Sequence, residues 1–148
     1  MTPETATETP STAMPDKLIA LSGGPLHSFA DWPDATVPIF GAGVYTIWDA
    51  HGRFIYVGMS GRSITSATRP RNTPHGLYTR LHSHASGRRS GDQFCVYVAD
   101  RLVLPSLSAE EIQAIASGRH QMDAFVRRYI HAHLEGTGTL SSIKGRPQ

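Results

Sequence analysis

Tyr45 and Tyr56 each sit in a short apolar run that ends in glycine or begins with it: Gly43-Val44-Tyr45 and Tyr56-Val57-Gly58. Asp49-Ala50-His51-Gly52 between the runs supplies turn chemistry, so a β-hairpin is expected. A tight turn over His51-Gly52 pairs Ala50 with Arg53 and carries the register on to Tyr45 opposite Gly58. Tyr56 then lies two positions along the partner strand on the same face, with the two tyrosine backbones roughly 7 to 8 Å apart as diagonal neighbours. Gly58 directly opposite Tyr45 leaves space beside the ring for a ligand. Aromatic residues are common in strands for packing alone, so the pair acquires meaning only from the residues around and beyond it in the chain. From Ala50 to Gly91 no acidic residue occurs, and the stretch holds Arg53, Arg62, Arg69, Arg71, Arg80, Arg88 and Arg89, seven of the chain's 14 Lys and Arg. His51, His75, His82 and His84 lie in it as well. So many guanidinium groups without a counter-charge suit a polyanion, most simply a nucleic-acid backbone.

The elements that must position these residues are legible in outline. Val44–Trp48 and Phe54–Val57 are β-branched and aromatic and make the hairpin strands. Leu77–Ser86 reads as a short helix stopped by Gly87, and Phe94–Val98 as a third strand with Cys95 in its core. Ser108-Ala109-Glu110-Glu111 has the capping-box form and opens a helix running to about Ser117. Met122 to Leu134 is the most periodic segment, with Met122, Phe125, Val126, Tyr129 and Ile130 on one wide face and Gly136 as its stop. The expected fold is α+β, a small three-stranded antiparallel sheet flanked by helices in the order β-β-α-β-α-α. Residues 1–15 read as a disordered tail, 16–38 as a transition segment, 39–135 as the domain and 136–148 as a flexible tail. At 148 residues, 39% hydrophobic and 18% charged, the composition is that of one globular domain and excludes wholesale disorder. No apolar stretch approaches the roughly 18 residues of a membrane span. One cysteine excludes an intrachain disulfide framework, and a reduced, cytoplasmic setting is the default expectation.

The two tripeptides resemble the signature of the GIY-YIG nuclease family, which is named for them. The resemblance runs from about Gly41 to Leu134 and includes the element order. It extends to Leu77-Tyr78-Thr79-Arg80-Leu81-His82-Ser83-His84, which matches the family's helix bearing an arginine and, one turn later, a histidine. Arg80 and His84, at i and i+4, share a helix face, with Leu77 and Leu81 beside them to hold Arg80 at a cleft edge. The linker from Gly58 to this helix is longer than is usual in the family, as though an Arg-bearing loop had been inserted. The resemblance implies a metal-dependent endonuclease that hydrolyses phosphodiester bonds in DNA, with RNA left open. Tyr45 would act on the attacking water as general base or orienting group, assisted by Tyr56. Because a phenol with a pKa of about 10 is a weak base near neutrality, either Arg80 and the metal lower that value or His84 takes the proton. Arg80 would hold the phosphate with its planar fork, and one Mg²⁺ (or Mn²⁺) would serve as Lewis acid. Arg62, Arg69, Arg71, Arg88 and Arg89 would hold the backbone, and a homodimer is possible, since cutting both strands from one site would require it.

The family's metal-binding glutamate has no counterpart here. Alignment on the apolar pattern puts Val126 at its place, which leaves Asp123, one turn earlier, as the candidate ligand and Glu135 as the next. The family's late asparagine is also unmatched, since Asn72 is the sole asparagine. The same fold could therefore serve as a nucleic-acid-binding module with weak or no hydrolysis. His82/His84 and His131/His133 look like metal pairs, yet i and i+2 on a helix point about 200° apart. Trp48 and Phe54 read as hairpin packing, with base stacking by an exposed aromatic as the alternative.

Overall fold

A computed structural model describes residues 24–64 and 73–140. The Tyr45 segment forms the centre of its sheet. Strand β3 (Gly43–Asp49) pairs antiparallel with β4 (Phe54–Ser60) on one side and with β6 (Leu134–Leu140) on the other, and the two-residue β1 (His27–Ser28) pairs with β6. The sheet order is β1-β6-β3-β4. A second, minimal sheet joins β2 (Phe40–Gly41) to β5 (His75–Gly76) in parallel. The helices are α1 (Leu77–Ser86), α2 (Gln93–Val98), α3 (Ala109–Ala116) and α4 (Met122–His133). The molecule is thus α+β, with a small antiparallel sheet and helices.

The hairpin register is the expected one at the tyrosines, with Tyr45 opposite Gly58 and Ile47 opposite Tyr56. Its turn differs. Asp49 rather than Ala50 closes the loop, its N–H bonding the Arg53 carbonyl at 2.9 Å, and Gly52 takes a positive φ of 75°. The Asp49 carboxylate accepts from the His51 and Arg53 N–H groups, which fixes this wider loop. Trp48 pairs with Phe54, so Ile55 is the extra residue of a bulge that restores the register further on.

The third strand is not Phe94–Val98. That run is helical and continues through a π-helical turn, Ala99–Val103, and a 3₁₀ turn, Leu104–Ser106. Asp92 caps it by accepting from the Cys95 N–H. Phe94, Cys95, Val98, Ala99 and Val103 are all buried, a helical stripe that β-branched and aromatic residue types disguised. The strand beside β3 is instead β6, which runs from the end of the expected domain into the segment 136–148 expected to be a flexible tail. Gly136 does not stop α4: Leu134 is already extended, at φ −117° and ψ 145°, and Gly136 pairs with Ile47. Gly136 and Gly138 stand opposite Ile47 and Tyr45, so the small residues of this strand meet the bulky ones of its neighbour.

The segment read as a transition is likewise part of the fold from residue 24 onward. Phe29 is buried in the core, and Trp32 lies against Tyr78 and donates its indole N–H to His82 Nδ1 at 3.1 Å. Residues 1–15, and 16–23 of the transition segment, lie outside the described residues. The single core joins Tyr45 and Ile47 of the sheet to Leu77, Leu81, Phe94, Val98, Val126 and Ile130 of the helices. The two helices with capping-box and periodic signals stand where expected, and Ser108 and Glu111 make both capping-box bonds. No helix of the described residues is long and apolar enough to cross a membrane.

Candidate functional site

The Tyr45 phenol points into the molecule, toward α1 and α2. Its ring centroid lies 6.3 Å from that of Tyr56, so both rings occupy the same sheet face, as the register requires. The space expected beside the ring at Gly58 is filled by the ring itself. A Cβ on residue 58 would overlap the Tyr45 hydroxyl and the Cζ that carries it, and would stand 2.9 Å from Cε1. Glycine at this position is therefore what lets the phenol lie flat across the partner strand.

From that position the hydroxyl reaches His84 Nε2 at 2.6 Å, and His84 Nδ1 reaches Asp92 Oδ2 at 2.7 Å. All three residues are only 1% exposed. Asp92 is saturated: Oδ2 also accepts from the Ser83 hydroxyl at 2.6 Å, and Oδ1 from the Cys95 N–H at 3.1 Å. Phe94 packs on the His84 ring with centroids 4.5 Å apart, and Tyr56 stands edge-on to it at 5.9 Å. Local sequence explains the placement. Leu77, Leu81, His84 and Ala85 form the buried stripe of α1, while the α2 cap delivers Asp92 to the histidine's far side. Gly87, at φ 72°, ends α1 where a Cβ would come within 2.6 Å of the Arg127 backbone, so α1 and α4 meet closely at this point.

Electrostatics follow from burial. The Tyr45 phenol is pushed well above its ordinary range, chiefly by burial and then by the neighbouring Tyr56. The Arg80 charge opposes the rise and Asp92 adds to it. Burial alone would lift the Asp92 carboxyl. The hydrogen bond from His84 and the charge that ring carries when protonated, with the Ser83 and Cys95 bonds, outweigh it and hold the carboxyl at about 2. Burial, with Asp92 nearby, drives the Cys95 thiol upward, so it stays protonated.

Three expected site residues therefore come together by contact, Tyr45, Tyr56 and His84, while the Arg80 charge acts on the Tyr45 phenol without a contact to it. Arg80 itself is exposed. Of the candidate carboxylates, Asp123 exerts its charge on the Cys95 thiol beside this cluster, and among the described residues neither it nor Glu135 bonds Tyr45, Tyr56 or His84. Asp123 accepts a 2.6 Å bond from Arg89 Nε, so the candidate metal ligand and a candidate phosphate-binding arginine hold each other. Glu135 pairs with Trp48 in the sheet, one residue out of phase with Tyr45, and so belongs to the opposite face. Val126, in the place of the family's glutamate, is fully buried core. Arg62 and Arg88 are exposed, while Arg69 and Arg71 lie outside the described residues.

Compared with known proteins, the chain matches no family model, no curated protein and no solved structure.

Asp92 is the residue that sequence reading missed. It is the first acid after the basic run and stands two residues before the apolar segment that opens at Phe94, a cap signal that the expectation of a strand concealed. Cys95 lies in the core as expected, and Trp48 and Phe54 pack edge to face with centroids 5.4 Å apart. The paired-histidine motifs do not converge: His82 accepts from Trp32 whereas His84 faces Tyr45, and His131 bonds the Ala85 carbonyl whereas His133 lies against Tyr129.

His84, Asp92 and Cys95 bring ligand atoms within 4.8 Å of one another and could hold a metal ion. As they stand, Nδ1 and Oδ2 satisfy each other and the thiol bonds the Ser83 and His84 carbonyls. An imidazole, a carboxylate and a thiol form a mixed donor set suited to a softer ion, whereas Mg²⁺ takes oxygen ligands. Among the described residues no carboxylate stands free beside the tyrosine pair, so the side chains present do not fit Mg²⁺ or Mn²⁺.

Proposed function

We propose that this domain is a GIY-YIG-like endonuclease that hydrolyses phosphodiester bonds, with DNA as substrate. The observation that carries the reading is the 2.6 Å bond from the Tyr45 hydroxyl to His84, with the charge of the exposed Arg80 acting on the same phenol. A buried, upward-shifted phenol is a weak base alone. Backed by an imidazole it becomes a proton relay, which the attack of water on a phosphate requires. Arg80, the exposed member, meets the phosphate oxygens and stabilises the added negative charge. Tyr56, half-buried beside Tyr45 and His84, orients the water. Arg62 and Arg88, with Arg69 and Arg71, attract and hold the backbone. Mg²⁺ or Mn²⁺ belongs to this reading by resemblance only.

A second reading is favoured by the buried Val126 and the engaged Asp123: a nucleic-acid-binding module of the same fold without hydrolysis. Plasmid nicking with Mg²⁺ or Mn²⁺ supplied separates the two. Wild type is expected to nick, and Arg80→Ala to lose on the order of 10²- to 10³-fold in rate. Asp123→Ala is expected to keep cutting, because its carboxylate is engaged by Arg89. Loss of cutting in a folded Asp123→Ala protein would make Asp123 a ligand. Salt-sensitive DNA retention with no nicking by wild type would establish the binding module.

A further inference from the structure

The contacts of Asp92 dictate more than a place in the core. Both of its oxygens act as acceptors, Oδ2 from the Ser83 hydroxyl and Oδ1 from the Cys95 N–H, and a carboxylate has only acceptor atoms to offer. His84 Nδ1, 2.7 Å from Oδ2, must therefore carry a proton. In the neutral ring that leaves Nε2 bare, and the Tyr45 O–H, 2.6 Å away, must donate to it. We propose that Asp92 is a positioning residue that fixes His84 in the Nδ1–H tautomer, so that Nε2 receives the Tyr45 proton during the reaction. The step balances without any further reactant. Water gives a proton to the Tyr45 oxygen as that oxygen's own proton passes to Nε2. The hydroxide forms the new P–O bond, the leaving alkoxide departs with the bonding pair and takes a proton from solvent, and Asp92 stabilises the imidazolium. The activity arm rests on the hydrolytic reading; the tautomer arm does not.

Asp92→Asn tests the assignment because the two carboxylate oxygens have different partners. The asparagine Oδ1 keeps the bond from the Cys95 N–H, and asparagine caps helices about as well as aspartate, so the fold is retained. Its amide nitrogen then takes the place of Oδ2 and donates to Nδ1. The ring proton moves to Nε2, and the bond to Tyr45 reverses direction. ¹⁵N-histidine spectra at pH 8 are expected to show His84 with a protonated Nδ1 and bare Nε2 in wild type, and the inverse in Asp92→Asn. Where the protein nicks DNA, kcat should fall on the order of 10³- to 10⁴-fold in Asp92→Asn, the scale seen when a histidine is held in the wrong tautomer, with KM unchanged. Ser83→Ala, which removes a partner of Oδ2 but no constraint on Nδ1, should keep the wild-type tautomer. Nε2–H on His84 in wild type overturns the proposal, and that measurement needs no variant to fold. An unchanged tautomer or unchanged kcat in Asp92→Asn also overturns it. A wild type that cuts nothing under any divalent ion removes the hydrolytic reading, while the tautomer spectra still decide the role of Asp92.

Discussion

Gly58 and Tyr45 act as one unit, because the phenol lies where a side chain on residue 58 would begin. An alanine methyl would overlap the hydroxyl and Cζ and press on Cε1 from 2.9 Å. The ring cannot yield easily, since His84 lies against it with centroids 5.5 Å apart and the ring is buried. Gly58→Ala is therefore expected to cost about 1–3 kcal/mol, the usual penalty of overpacking, measured by urea unfolding, and to break the Tyr45–His84 bond. An alanine variant as stable as wild type would show that the phenol lies elsewhere. At this scale the sequence was informative but read in the wrong sense. Spacing across the hairpin gave the shared face of Tyr45 and Tyr56, and i, i+4 spacing gave Arg80 and His84. Backbone pattern alone did not tell that the gap at Gly58 is filled by its own neighbour, because ring orientation depends on what α1 and α2 present above the strand.

Helix α2 is where element-level reading failed, and its cap explains both the failure and a testable property. Residues 94–98 contain the types that strands favour, yet Asp92 offers its carboxylate to the Cys95 N–H, and the buried positions recur at helical spacing into Val103. The pattern of burial outweighed the preference of the individual residues. Strand β6 failed for the converse reason: Leu-Glu-Gly-Thr-Gly-Thr looks like linker, and its fit depends on β3, with Ile47 and Tyr45 opposite the glycines and Thr46 bonded to Thr137 at 2.6 Å. The same cap makes stability pH-dependent. Asp92 titrates near its ordinary 3.8 when unfolded and at about 2 when folded. The unfolded state therefore binds the proton first as pH falls, and the stabilisation is fully present above about 4 and lost through about 2. Its size is roughly 2 kcal/mol, from 1.36 kcal/mol per pKa unit. Unfolding curves from pH 5 to pH 2 should show wild type converging on Asp92→Asn by that amount. A constant gap between the two across this range would mean that the carboxylate is not held down by its partners.

Across the whole molecule the basic run resolves into two kinds of arginine. Arg53 and Arg89 are engaged, with Asp49 at 2.7 Å and Asp123 at 2.6 Å, whereas Arg62, Arg80 and Arg88 are exposed and make no ion pair among the described residues. A polyanion partner should feel that difference. Each arginine that neutralises a phosphate adds about 0.9 to the magnitude of the salt slope. Arg62→Ala with Arg88→Ala should then weaken DNA binding on all sequences and flatten the slope by about two, and the pair Arg69→Ala and Arg71→Ala should do the same. Asp123→Ala should act in the opposite direction. The Arg89–Asp123 pair is partly exposed, at 46% and 33% of the side chains, and such pairs are worth only about 0–1 kcal/mol. Removing the aspartate frees Arg89 for a phosphate, so affinity should rise by up to about fivefold and the slope should steepen by about one. A metal ligand would give the reverse, weaker binding in the presence of Mg²⁺ and no change in its absence. Binding isotherms at several salt concentrations, with Mg²⁺ and with a chelator, therefore read from one side chain whether Asp123 restrains the nucleic-acid surface or serves a metal.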